Sequence, residues 1–304
     1  MFTSMRGVCK ICLLSTALAV LPASLCVSQT ARPDPPSPAE LRRLADRVLE
    51  NQHLNDQALY VYERIERVEQ RKNAGDPSPS SVRVFRVFPA GTGVDHIPFG
   101  SDGQPPAPTA YERELRHLEE SLAFSAGDGP RQREAYAKLD KHKKERADLL
   151  DATRDAFTLA WLGRESRNGR TVAMIRLDPN PAYKSASRLT AILPKARGIM
   201  WIDEATGQLA RFEAELLEDI TFGGGIVAKV YKGGHFVMEQ AEVAPGVWLP
   251  VLIQYDFDGR KFFFATAVHE KTVATGYRRV GPPKEAIQIV RGELSNFSAG
   301  HSDP

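Results

Sequence analysis

The sequence predicts an α+β fold built on an antiparallel sheet, and three observations carry the prediction. Residues 197–270 are cut by the turn signals Glu204-Ala-Thr-Gly207, Phe222-Gly-Gly-Gly225, Lys232-Gly-Gly234, Ala244-Pro-Gly246 and Asp258-Gly259. Apolar segments of hairpin length lie between them, so five turns imply about six strands in a meander. The strands alternate between an apolar, aromatic-rich side and a charged side. Helical spacing appears elsewhere, over 37–51 and 109–150.

The N-terminus has the form of an export signal. Arg6 and Lys10 precede a short apolar run, Ile11 to Val20, followed by Pro22 and small residues, with cleavage expected near Ser28. The run is short for a membrane span, and an uncleaved anchor is the alternative. All three cysteines, Cys9, Cys12 and Cys26, fall in this segment. Cys9-x-x-Cys12 is incidental there, and bulky Leu25 argues against lipid attachment at Cys26. Without Arg6 and Lys10, the 40 basic residues fall to 38 and match the 38 acidic ones. A neutral mature chain gives no footprint for nucleic acid.

The expected order is a signal peptide over 1–28, a disordered proline-rich leader over 29–36, one domain over 37–280 and a C-terminal tail over 281–304. Ser37 caps a helix with Pro38 in its first turn and Glu40 completing a capping box. Leu41, Leu44, Ala45, Val48 and Leu49 form its apolar face, to about Asn51. Strands are expected over 58–68 and 82–88, then a loop over 89–108. The insertion 109–150 reads as two helices, with Tyr111, Leu115, Leu118 and Leu122 at helical spacing in the first. The second carries mixed charges over 138–148, a solvated face. Residues 157–164 and 171–177 pair through Arg167-Asn-Gly169, a hairpin signal. One more strand is expected over 271–280.

Alternation suggests which side of the meander is buried. Val247, Leu249, Val251, Ile253, Tyr255 and Phe257 share one side. Ala210, Phe212, Ala214 and Leu216 oppose Arg211, Glu213 and Glu215. Ile199 and Trp201 alternate with Met200 and Ile202, and Phe236 and Met238 with Val237 and Glu239. The candidate apolar lining is Ile199, Trp201, Phe212, Leu216, Phe236, Met238, Leu249, Val251, Ile253 and Tyr255. Such a face must be covered by helices, by a second layer or by an apolar ligand.

The sequence carries no recognisable catalytic motif. Phe222-Gly-Gly-Gly225 lacks the lysine and hydroxyl of a phosphate loop, and His269-Glu270 lacks the second histidine of a zincin. The seven histidines show no metal-ligand spacing, so neither a metal nor a cofactor is expected. Asp256-Phe-Asp258-Gly259 reads as a hairpin turn rather than a calcium loop. No G-x-S-x-G elbow is present. A carboxylate pair would be invisible in sequence because its spacing is spatial.

The run Gly198-Ile-Met-Trp-Ile-Asp203-Glu-Ala-Thr-Gly207-Gln-Leu-Ala-Arg-Phe-Glu213 resembles the periplasmic outer-membrane lipoprotein carrier superfamily (LolA/LolB-like). In that family an apolar strand ending in Asp passes through a Thr-Gly turn into a strand that begins with Leu. The order of elements over 156–270, and weakly over 37–88, agrees with it. The insertion and the tail depart from it. The resemblance implies a strongly curved, incompletely closed antiparallel β-barrel (a half-barrel), with helices over its concave face. It implies a periplasmic carrier or sensor that binds lipid or the acyl chains of an acylated protein, with peripheral membrane contact and no covalent chemistry. Two other readings stay open: an envelope protein-interaction module with a self-filled core, and an exported hydrolase.

Overall fold

The computed structural model describes residues 35–100, 106–222, 227–262 and 264–300. The export segment, the leader before Pro35 and the turn beyond Phe222 lie outside these residues. Among them, twelve antiparallel strands form one open sheet ordered β3-β2-β1-β12-β11-β10-β7-β6-β5-β4. Short β8 (Ile220–Phe222) and β9 (Ala228–Val230) pair with each other, and β9 also pairs with β11. The end strands β3 (Val94–Gly100) and β4 (Phe157–Arg167) do not meet, so the barrel stays open.

Helix α1 (Pro38–Ala58) begins as its capping box predicts. The Ser37 hydroxyl accepts the Glu40 N–H, and the Glu40 carboxylate accepts the Ser37 N–H at 2.8 Å. It runs one to two turns past Asn51, because Gln52 and Asn55 are buried and hydrogen-bonded to the sheet. The first strand therefore starts later than expected: β1 spans Tyr62–Gln70, β2 Ser81–Pro89. The segment expected as loop contributes β3, paired with β2 from Val84 to Pro89.

β4 and β5 (Arg170–Pro179) close through Asn168 and Gly169 at φ +51° and +75°, as the Asn-Gly signal demands. The meander follows as β6 (Ala196–Asp203), β7 (Gln208–Leu216), β10 (His235–Ala244), β11 (Val247–Lys261) and β12 (Phe264–Arg279). One expected turn is corrected. Asp258-Gly259 lies inside β11, where a β-carbon on Gly259 would strike the Lys229 backbone of β9. That glycine permits close strand approach rather than chain reversal. The reversal falls between the paired residues Lys261 and Phe264, where Phe262 has φ +53°.

Directly opposed residues share a face, so the register assigns both sides of the sheet. The inner row runs Ile175–Met200–Phe212–Met238–Ile253–Thr272–Val68 across seven strands. The outer row runs Trp201–Arg211–Glu239–Leu252–Val273–Arg67–Val84. α1 covers the inner face at the β4–β7 end. Leu41 and Val48 pack there against Ile175, Leu177, Met200, Ile202 and Leu209. α3 (Pro130–Ala156) runs antiparallel to α1 and is tied to it by Arg154–Asp46, His53–Asp151 and Arg146–Asp56.

A second core lies on the outer face at the other end. α2 (Pro108–Ser125) and α4 (Pro283–Gly300) sandwich Phe88 and Ile97 through Leu115, Leu118, Leu122, Val290 and Leu294. The segment expected as a tail is therefore a packed helix. Arg86 threads this core, bonded to Glu63 (Nη2–Oε2 2.7 Å), Glu293 (Nη1–Oε2 2.6 Å) and the Tyr111 hydroxyl (2.8 Å). No helix among the described residues is long and apolar enough to cross a membrane.

Candidate functional site

An aromatic row crosses the inner face. Centroid separations are 6.1 Å for Phe212–Phe236, 5.2 Å for Phe236–Tyr255 and 6.3 Å for Tyr255–Phe257, all tilted. Two glycines leave room for the end rings. The Phe212 ring sits over Gly198 on β6, and the Phe257 ring sits over Gly234 beside β10. Met238 and Ile253 complete the row as cross-strand partners.

Cover over this row fades along the strands. Ile202 and Ile175 are fully enclosed beneath α1 and Met200 nearly so. Phe212, Phe236, Met238, Ile253, Tyr255 and Phe257 are half-buried. Val268, the partner of Phe257, is 48% exposed, Phe222 50% and Phe264 76%. The apolar track thus starts under α1 and ends open at the β8–β9–β11–β12 tip.

Charged groups mark the border between covered and open halves. Arg146 of α3 binds the Asp56 carboxylate of α1 through two nitrogens, Nη2 at 2.8 Å. That bond holds the guanidinium protonated more firmly than usual, against the pull of burial. Lys143 stands 4.2 Å from the Tyr60 ring centroid, a cation–π contact. Burial raises the Tyr255 hydroxyl pKa above the usual phenol value. Glu270, opposite it, adds to the rise, and Arg146 opposes it.

The predicted lining residues divide. Phe212, Phe236, Met238, Ile253 and Tyr255 share the inner face, and Leu216 is buried there opposite Ala196. Ile199 and Trp201 lie on the other side. Their partners are Glu213 and Arg211, and the Arg211 guanidinium stacks 5.7 Å from the Trp201 ring. The inward residues are Met200 and Ile202, so the choice between the two phases of β6 is reversed. Leu249 is fully buried opposite Ala241, and Val251 falls in a bulge between the Glu239–Leu252 and Gln240–Pro250 pairs. That extra residue breaks the alternation and turns Val251 into an outer cleft of about 540 Å³, with Leu252, Val273 and Tyr277.

The sequence reading overlooked Arg146, Tyr60, Phe222 and Phe264. Phe262-Phe-Phe264 was the available signal for the last of these. The space beneath α1 is packed. A second cleft, about 410 Å³, lies instead beside the start of α1, between Leu41, Leu44, Arg47, Arg164 and Glu204. Among the described residues no group of three or more His, Cys, Asp or Glu side chains is placed to hold a metal ion.

No family model matches the sequence, and no curated protein matches it. Solved structures are similar to it over most of its length. An outer-membrane lipoprotein-sorting protein domain from Vibrio parahaemolyticus is 12% identical, covers 81% of this chain and 99% of its own, and has a TM-score of 0.31. A DUF1329 family protein from Desulfovibrio piger is 12% identical over 80% and 94% of the two chains, TM-score 0.30. A LolA superfamily protein from Nitrosomonas europaea is 10% identical over 80% and 96%, TM-score 0.30.

Proposed function

We propose that the protein is an exported, periplasmic binder of acyl chains, carried by a lipid or by an acylated protein, and that it works without covalent chemistry. One observation carries this reading: the Phe212–Phe236–Tyr255–Phe257 row is continuous with a packed interior yet left half-open. An acyl chain is narrow and flexible enough to lie along such a row. Contact would remove apolar surface from water at about 25 cal/mol per Å². The site holds the chain between the Arg146–Asp56 clasp and the open tip.

The test is native mass spectrometry of protein purified from its own envelope, followed by titration with a fluorescent fatty acid. Co-purified acyl species and saturable binding are expected. Lipid-free protein with no affinity for the probe would sink the reading.

A second reading rests on the filled space under α1, where Leu41 and Val48 occupy the concavity themselves. On that reading the inner face is core, and an envelope protein binds elsewhere. The exposed face of α3, with Lys138 and Lys144 paired to Glu134 and Asp148, is the surface to alter. Removing residues 109–150 is unsuitable, because Leu115, Leu118 and Leu122 of α2 are fully buried. Lys138→Glu with Lys144→Glu, losing an envelope partner while fatty-acid binding is nil, would favour this second reading.

A further inference from the structure

The tip formed by β8, β9 and the ends of β11 and β12 is a four-strand flap with two unlike sides. One cross-strand row reads Phe222–Ala228–Lys261–Phe264, and the next reads Thr221–Lys229–Arg260–Ala265. Counted along β11, the first row lies on the same side as Tyr255 and Phe257, and the second on the outer side. The inner side of the flap therefore presents two largely exposed phenyl rings, Phe222 and Phe264. Val227 and Phe262, joined by a 2.9 Å backbone hydrogen bond, add apolar surface at the rim and are 46% and 47% exposed.

Charge on the flap is unbalanced. Within 218–222, 227–232 and 257–262 the four basic residues Lys229, Lys232, Arg260 and Lys261 outnumber the three acidic ones, Glu218, Asp219 and Asp258, and Lys261 is the charge in the row of Phe222 and Phe264. Lys229 is bound to Asp219 and also lies 5.5 Å from the Tyr231 ring. Exposed aromatic rings with lysines around them match a membrane–water interface. There the rings sit at headgroup depth, lysine stems lie along apolar surface, and the amines meet anionic phosphates.

From this we propose that the flap docks the protein on an anionic lipid bilayer, with Phe264 and Phe222 entering the interface and Lys261, in the same cross-strand row, meeting the headgroups. The occupant fits the charge excess, which a neutral apolar partner would leave unanswered. The flap also stands at the open end of the aromatic track, so docking would set that track against the bilayer. The proposal is independent of what the track itself holds.

The test is co-sedimentation of the full mature chain with vesicles of phosphatidylcholine alone or with about one third phosphatidylglycerol. Binding is expected on the anionic vesicles, falling steeply with salt. Phe264→Ser and Phe222→Ser should each weaken it about tenfold, and Lys261→Ala about fivefold. Circular dichroism should be unchanged, since these side chains are exposed. Equal binding by wild type and the Phe264→Ser, Phe222→Ser double variant would overturn the proposal. So would no binding to either vesicle, or a self-associated wild type that Phe264→Ser converts to monomer. Fatty-acid titration without vesicles separates the two claims. Loss there with vesicle binding intact removes the acyl reading and leaves docking standing.

Discussion

The phenyl ring of Phe212 lies over the α-carbon of Gly198 on the neighbouring strand, so close that a β-carbon built there would stand 2.7 Å from it. The Glu213 carbonyl oxygen lies 3.1 Å from the same point, so backbone as well as ring resists the change. Gly198→Ala should cost about 1–3 kcal/mol, as overpacking does. Urea unfolding checks it. Combined with Phe212→Leu the two effects should be non-additive, because the smaller side chain relieves the clash.

Asp203 gives the fold a defined dependence on acid. Its Oδ1 accepts the Thr206 N–H and hydroxyl, both at 2.9 Å, and its Oδ2 accepts from Arg170 at 3.2 Å. Burial opposes the charge, but these donors outweigh it and hold the carboxyl below the usual aspartate range. A depressed folded value means the stabilisation is present above the unfolded value of about 3.9 and is lost as pH falls through the folded one. Asp203→Asn should be less stable than wild type at pH 7, and the gap should shrink as pH falls below the unfolded value and through the folded one. A gap that persists in acid would show that the charge is not the cause.

Arg86 is a costly charge to remove. It is buried between Glu63 and Glu293, and Arg86→Met would leave the enclosed Glu63 with Arg278 as its remaining cation. About 3–5 kcal/mol should be lost. Restoring neutrality with Glu63→Gln and Glu293→Gln in the same chain should recover part of it, read as the denaturation midpoint.

The two faces of β6 and β10 should respond differently to ligand. Phe236→Ala removes the ring between Phe212 and Tyr255, so fatty-acid affinity should fall about tenfold or more. Trp201→Phe changes the outer face beside Arg211 and should leave affinity within twofold. Titration with a fluorescent fatty acid decides. Equal loss in both variants would detach binding from the inner face.

Local chemistry was legible in the sequence; cross-strand chemistry was not. Asn168-Gly169 declares its own turn, because positive φ is a property of two residues. The Ser37–Glu40 box likewise needs nothing outside one helical turn. The phase of β11 depends on a bulge whose partner lies on β10, so counting from Phe257 back to Leu249 crosses an unmarked shift. Gly259 was misread because a turn and a close strand approach call for the same residue. α4 holds Ala286, Ile287, Val290 and Leu294 at helical spacing, but its partners, α2 and the β2–β3 pair, are all distant in sequence, so the segment reads as a tail. Among the lining residues, Phe212, Phe236 and Tyr255 come from unbroken alternation, whereas Ile199 and Trp201 offered two equal phases.

The uneven cover of the inner face has a spectroscopic consequence. Trp161 packs in the core under α1, Trp201 is buried between Arg211 and its strand neighbours, and Trp248 is buried where its backbone N–H meets Asn55 of that helix. The chain has three tryptophans, and none lies in the flap. Intrinsic emission therefore reports only on the roofed half of the molecule. A tryptophan placed at Phe264, with the native three left in place, would add a red-shifted, readily quenched component whose response belongs to the open end alone.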